Sequence, residues 1–246
     1  MTSRRLILIV GLILLVGGGA IVIAALASSG GGTTTVASSP SPTTTLPEVL
    51  PGVSELQRGD FEGARATVKA HLEKNPDDSK AWYFLALTYE QQNDLPGAVG
   101  IYEMILEKDP RDFEAHFHIG QLRLRQNDIK AAAESFDQSL QLNSDFTAAR
   151  VALAEVDTKL GNIDKAIKLY FEVIEMRPMG VHLDAIRVSL AKLLIEVGQP
   201  DNAAIQLNKA LAENPDNAEA TELLAKAEGS GSTSSTVGST TSTTGL

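Results

Sequence analysis

The residues best suited to chemistry in this sequence are its four histidines, His71, His116, His118 and His182. A metal centre or an acid–base pair needs such side chains to converge on one point. His116 and His118 are two positions apart on a predicted helix, so they point to different faces. His71 lies on another predicted helix, where it packs or faces solvent. The spacing therefore predicts no metal site.

Nucleophilic and phosphate-binding motifs are also missing from the sequence. The chain has no cysteine, which excludes thiol catalysis and thiolate metal ligands. HExxH, GxSxG and P-loop patterns do not occur, and the triple glycine at 17–19 lies within an apolar run. The acids Asp77 and Asp78 follow a proline, where they are best explained as helix caps. We therefore predict no catalytic residues, no cofactor and no enzymatic activity.

The charge of the chain excludes one class of partner. Its 31 acids and 21 bases give a formal net charge of −10. A surface that acidic repels a phosphate backbone, so we expect no nucleic-acid partner.

The N-terminal segment predicts a transmembrane helix over residues 6–27. These 22 residues carry no charge and, as a helix, would span about 33 Å, enough for a hydrocarbon core of about 30 Å. Arg4 and Arg5 precede the span and place residues 1–5 in the cytoplasm and the rest of the chain outside. The alternative is a signal peptide cleaved after Ala27, which would make the protein secreted.

Low-complexity segments flank the central part of the chain. Residues 28–46 are rich in Gly, Ser, Thr and Pro, and residues 229–246 are rich in Ser and Thr. Neither segment has enough apolar residues to fold, so we expect a disordered linker and a disordered tail. Whether the Ser/Thr tracts carry sugar stays open.

The central part repeats itself with a period of 34 residues, lengthened once to 37. Four kinds of position share this rhythm: a small residue, a large apolar residue, a turn residue and a helix stop. The small residues are Ala64, Ala98, Ala132, Ala166 and Ala203, and the large ones are Val68, Tyr102, Phe136, Tyr170 and Leu207. The turns are Gly59, Asn93, Asn127, Gly161 and Gly198, and the stops are Pro76, Pro110, Ser144, Pro178 and Pro215. Such a period is typical of a stacked helical array.

The repeat resembles the tetratricopeptide repeat. The residues that carry the resemblance in the best unit are Trp82, Leu85, Ala86, Tyr89, Ala98, Tyr102, Ile105, Leu106 and Pro110. It implies an all-α fold, a right-handed superhelical α-solenoid of helix pairs, here preceded by one transmembrane helix. We place this domain at 47–228, with units at 47–78, 79–112, 113–146, 147–180 and 184–217 and a cap at 218–228.

Local departures from the pattern carry their own expectations. Pro47 and Pro51 should shorten the first helix of unit one, and three residues are inserted near 181–183. That longer loop, flanked by Met176 and Met179, is either a contact site or a looser joint. In the cap, Ala220, Leu224 and Ala225 are predicted to face inward, with Glu219, Glu222 and Lys226 outward.

The resemblance also implies where a partner would bind, because first helices line the concave groove of such stacks. The predicted partner-binding groove consists of Tyr83, Leu87, Phe117, Gln121, Leu124, Val151, Glu155, Val188, Lys192 and Ile195. An apolar row with a polar edge suits an amphipathic helix or an apolar peptide. The alternative is that some of these residues are core. Family members that grip a carboxylate use Lys and Asn here, so such a clamp is not expected.

These expectations combine into one functional hypothesis and one alternative. The hypothesis is a membrane-anchored extracytoplasmic scaffold that binds a peptide or helix of another envelope or membrane protein. By analogy alone, its role would be in envelope assembly or chaperoning, as in cytochrome c biogenesis. The alternative is a self-assembling structural or spacer protein. The identity of the partner, the pathway and the oligomeric state stay open.

Overall fold

The computed structural model of the protein describes residues 50–231, with side chains up to residue 229. Within this range the regular structure is entirely helical. The helices are α1 (Val53–Gln57), α2 (Phe61–Lys74), α3 (Ser79–Gln91), α4 (Leu95–Lys108), α5 (Phe113–Arg125), α6 (Ile129–Leu142), α7 (Thr147–Leu160), α8 (Ile163–Met176), α9 (Leu183–Glu196), α10 (Pro200–Glu213) and α11 (Ala218–Gly231).

The expected membrane span at 6–27, the linker at 28–46 and most of the tail at 229–246 lie outside the described residues. None of the helices α1 to α11 has both the length and the apolar character needed to cross a bilayer.

The helices pair in chain order. α3 packs on α4, α5 on α6, α7 on α8 and α9 on α10, and each second helix also packs on the first helix of the next pair. α11 contacts both α9 and α10. α1 has only five residues and begins two positions after Pro51, because proline is tolerated at the start of a helix but not in its interior. The result is the solenoid of helix pairs expected from the period.

The repeated small and large residues of the second helices are both buried, as the repeat predicts. The five alanines are fully buried, and the five large residues, four positions later on the same helices, are at most 4% exposed. Gly120 gives the clearest case, because a Cβ atom there would lie 2.6 Å from Cε1 of Phe136. The small residue therefore admits the ring of the second helix, and the period is explained by packing.

The predicted turn residues are confirmed by their backbone angles. Gly59, Gly161 and Gly198 have φ of 75° to 77°, and Asn93 and Asn127 have φ of 60° and 61°. Only glycine and, less easily, asparagine adopt this left-handed conformation routinely. One turn residue per pair therefore ends the first helix and reverses the chain.

Aspartates begin α2 to α6, and Asp78, which follows the proline stop at Pro76, is a helix cap as expected. Asp78 accepts a hydrogen bond from the backbone N–H of Ala81, and equivalent bonds cap α2, α4, α5 and α6. From α7 to α10 no side chain caps the helix start. The three-residue insertion coincides with a longer connection at 177–182, in which Met179 is fully exposed.

The terminal helix α11 differs from the expectation in one position. Ala220 is fully buried and Leu224 is partly buried, as predicted, but Ala225 is exposed. Ala227, 1% exposed, takes its place in the core. Ala220 and Ala227 are seven residues apart and share one helix face, whereas Ala225 is rotated away from Ala220 by five residues.

Candidate functional site

The ten predicted groove residues all lie on first helices. Tyr83 and Leu87 are on α3, Phe117, Gln121 and Leu124 on α5, Val151 and Glu155 on α7, and Val188, Lys192 and Ile195 on α9. Eight of them keep solvent access. We call these eight the first-helix face: Tyr83, Leu87, Gln121, Leu124, Val151, Glu155, Lys192 and Ile195.

Two of the ten residues are in the core instead. Phe117 is 4% exposed and Val188 is 3% exposed. The Phe117 ring lies 5.0 Å from that of Phe146 and 5.6 Å from that of Phe136, measured between ring centroids. Phe117 thus joins α5 to α6 and to the start of α7, and this packing leaves it no surface for a partner. The expectation of a groove position is corrected for both residues.

At the α3 end, the face borders a cluster of stacked rings. His118 and Tyr102 are parallel, with centroids 4.9 Å apart and an interplanar angle of 3°. Tyr83 meets both rings edge-on, at 5.6 Å from Tyr102 and 5.8 Å from His118. Because α3, α4 and α5 each contribute one ring, the cluster fixes the relative position of two consecutive pairs.

Hydrogen bonds hold the two tyrosines of this cluster. The Tyr83 hydroxyl donates to Oδ1 of Asp112 at 2.7 Å, and the Tyr102 hydroxyl donates to Oε1 of Glu90 at 2.9 Å. Glu90 lies 3.5 Å from Nη1 of Arg125, whose Nη2 donates to Asn93 at 3.0 Å. The Tyr83 bond connects α3 to Asp112, the residue that caps α5. The Arg125 contacts connect α5 to Glu90 on α3 and to Asn93 in the turn that follows.

The pKa values in the cluster follow from burial next to carboxylates. Burial raises the pKa of the Tyr83 hydroxyl, and the charge of Asp112 raises it further. Burial also raises the pKa of Glu114, with a contribution from Asp112. Burial lowers the pKa of His118 to about 4, so its imidazole is neutral at physiological pH. The cluster therefore presents neutral rings beside acidic groups.

The α9 end of the face is stabilised by polar contacts. Nζ of Lys192 lies 2.7 Å from Oε1 of Glu219 on α11. Elsewhere on α9, Arg187 is 8% exposed and donates to Gln206 at 2.8 Å and to Glu213 at 3.0 Å. Sequence reasoning missed this network, since a lone arginine on a helix carries no signal of its burial.

An open cavity lies away from this face, between α2 and the end of α3. It measures about 340 Å³ and is lined by Glu62, Arg65, Ala66, Lys69, Tyr89 and Asp94. The Arg65 guanidinium stands 4.5 Å from the centroid of the Tyr89 ring, and Lys69 donates to the Tyr89 hydroxyl at 3.1 Å. Arg65 is also paired with Glu62. The charges of this cavity are balanced internally.

The histidines do not converge. Nε2 of His71 lies 2.8 Å from the Asp78 carboxylate, which links α2 to the cap of α3, and His118 is in the ring cluster. Among residues 50–231, no group of three or more His, Asp or Glu side chains is arranged to hold a metal.

The fold defines a class, the helical-repeat proteins built from stacked pairs of helices. Tetratricopeptide repeat models match residues 52–113, 123–179 and 184–227. The chain belongs to the tetratricopeptide repeat family. No curated protein sequence gave a match.

Solved structures share this fold at low identity. MamA is 24% identical, with a TM-score of 0.59 over 68% of this chain and 96% of MamA. MamA of Desulfovibrio magneticus RS-1 is 17% identical, with a TM-score of 0.57 over 68% of this chain and 93% of that one. YrrB, described as a TPR protein with an unusual peptide-binding site, is 19% identical, with a TM-score of 0.57 over 70% of this chain and 87% of YrrB.

Proposed function

We propose that this protein is a scaffold that binds a peptide or amphipathic helix of another protein along the first-helix face. The observation that carries the proposal is the partly exposed apolar row of Leu87, Leu124, Val151 and Ile195, which follows the first helices of four consecutive pairs. An apolar row flanked by polar residues matches the apolar side of an amphipathic segment. Family membership supports the same coarse function, since these repeats serve protein–protein interaction.

The finer proposal places the scaffold outside the cytoplasm, anchored by residues 6–27, with an envelope or membrane protein as partner. The uncharged 22-residue run and the two preceding arginines support it. A role in envelope assembly or chaperoning, as in cytochrome c biogenesis, rests on analogy. The second candidate is a self-assembling structural protein, for which the same apolar row would bind a second copy.

Photocrosslinking tests the face directly. A photoreactive residue replaces Gln121 in the full-length protein in cells, because Gln121 is exposed whereas Phe117 is buried. Glu134 on α6 is the matched control, exposed but on a second helix. We expect a heterologous adduct at 121 that is absent at 134 and is lost when Leu124→Asp is added. Adducts between two copies would favour the structural alternative, and equal adducts at both sites would contradict the face.

The location is tested separately with introduced thiols, which the natural chain lacks. Ser54→Cys is exposed and lies before α2, and Thr2→Cys precedes the expected span. In intact cells, a membrane-impermeant maleimide should label Cys at 54 but label Cys at 2 only after lysis. Labelling of both positions only after lysis would contradict the extracytoplasmic location.

A further inference from the structure

An acidic group without a counter-ion borders the first-helix face. Asp112 accepts a hydrogen bond from the Tyr83 hydroxyl at 2.7 Å, and Glu114 lies two residues later in the first turn of α5, partly buried. Asp112 uses Oδ1 to cap α5 and to accept from Tyr83. Within residues 50–229, neither Asp112 nor Glu114 forms an ion pair with Lys, Arg or His.

Several other carboxylates on or beside the first helices are paired within the chain. Glu90 on α3 pairs with Arg125 on α5, and Glu219 on α11 pairs with Lys192 on α9. Burial of Glu114, with a contribution from the Asp112 charge, raises its pKa, which is the cost of holding a charge there without an ion pair. A cation arriving from outside would reduce that cost, so the α5 end of the face is electrostatically incomplete.

The apolar part of the face continues from the same helix surface. Glu114, Gln121 and Leu124 are spaced by seven and three residues, which keeps them on one side of α5. At 1.5 Å per residue, about 15 Å separates Glu114 from Leu124 along the helix axis. One bound segment of modest length can therefore contact the acidic group and the apolar row together.

Building on the proposed function, we propose that the bound segment carries a lysine or arginine that pairs with Asp112 and Glu114, while its apolar residues cover Leu87, Leu124 and Val151. The partner is thus a basic amphipathic peptide or helix. An acidic tail is disfavoured, because it would meet like charges at this end.

The test is a selection of displayed 15-residue peptides by the full-length protein, run in parallel on natural and substituted chains. Glu114→Gln removes the charge, and Glu114→Lys reverses it. Glu134→Gln makes the same charge change on an exposed second-helix residue and is the matched control. The dissociation constant of the best selected peptide, and of its Lys→Gln version, is then measured on each protein.

We expect the natural chain and the Glu134→Gln control to select apolar peptides with Lys or Arg at a fixed position. Glu114→Gln should bind the best peptide about 5-fold more weakly, with no further loss for the Lys→Gln peptide, and 0.5 M salt should narrow the difference. Glu114→Lys should select acidic residues instead, a gain that misfolding cannot produce.

The two proposals fail differently. Selection of apolar peptides with no preference for Lys or Arg would overturn this inference, and so would a preference that Glu114→Gln leaves unchanged. In both cases the proposed binding face would stand. Selection of no peptide by the natural chain would overturn the proposed function and this inference with it.

Discussion

His118 lies flat on Tyr102, with ring centroids 4.9 Å apart, and it is neutral because burial lowers its pKa to about 4. The groups that face it are the rings of Tyr83, Tyr102 and Phe117 and the nearby Asp112 carboxylate. In an unfolded chain the pKa of histidine is about 6.5. The contact between α4 and α5 therefore depends on an uncharged imidazole.

This pairing predicts a loss of stability in acid. Between about pH 6.5 and pH 4 the unfolded chain binds a proton at this position and the folded chain does not, so stability falls as pH falls. Acidification from pH 7 to pH 5 should cost on the order of 1–2 kcal/mol through this residue. Urea unfolding of His118→Phe, which keeps a ring, should show a smaller pH dependence than the natural chain.

His182 supplies the control for that measurement, because its side chain is 92% exposed. His182→Gln should keep the pH dependence of the natural chain. Equal pH dependence in His118→Phe and the natural chain would contradict the assignment of the acid sensitivity to the ring stack.

A pair of glycine substitutions tests the packing of the repeat. Gly120→Ala should destabilise the protein by about 1–3 kcal/mol, because the new Cβ would lie 2.6 Å from the Phe136 ring. Gly100→Ala is the matched control, since it is also inside a helix but has open space around the new Cβ. It should stabilise by up to about 1 kcal/mol through helix propensity. Calorimetry measures the melting temperature of both variants. Equal changes of melting temperature in the two would contradict the close approach of α5 and α6.

The positions that could be predicted from the sequence are those constrained by nearby residues. Asn93, Asn127 and Gly161 could be assigned because a left-handed turn admits few residue types, and Asp78 because a cap has a fixed offset from its helix. The period itself fixed the helix pairs. These features depend on neighbours within a few residues or one repeat.

The errors come from positions whose surroundings depend on the neighbouring repeat. Phe117 was expected on the groove because its helix face is right, but Phe146 of the next pair covers it. The unpaired state of Glu114 could not be predicted for the same reason, since Arg125 pairs with Glu90 and Glu114 forms no ion pair within residues 50–229. A helical wheel gives the direction in which a side chain points, but not which residues of the neighbouring repeat pack against it.

The turn at Asn127 gives a prediction on backbone strain. Its φ is 61°, and its side chain makes no hydrogen bond to any of residues 50–229. Asn127→Val should cost about 1–2 kcal/mol, because a branched side chain crowds the carbonyl in this conformation. Asn127→Gly should be neutral or slightly stabilising. Thermal unfolding measures the stability of both variants. A similar loss of stability in the two would mean that the asparagine acts through its side chain.

The buried Arg187 network predicts that α9 and α10 depend on a polar contact. Arg187→Met keeps the apolar stem but leaves the buried Gln206 amide without its partner, which should cost about 1–3 kcal/mol. Adding Gln206→Leu should recover part of the loss, because both polar partners are then replaced. Lys168→Met breaks only an exposed pair with Glu172 and should change stability by less than about 0.5 kcal/mol. Native-state hydrogen exchange should place the loss in α9 and α10, and unchanged protection there would show that Arg187 contributes little to the pairing of these helices.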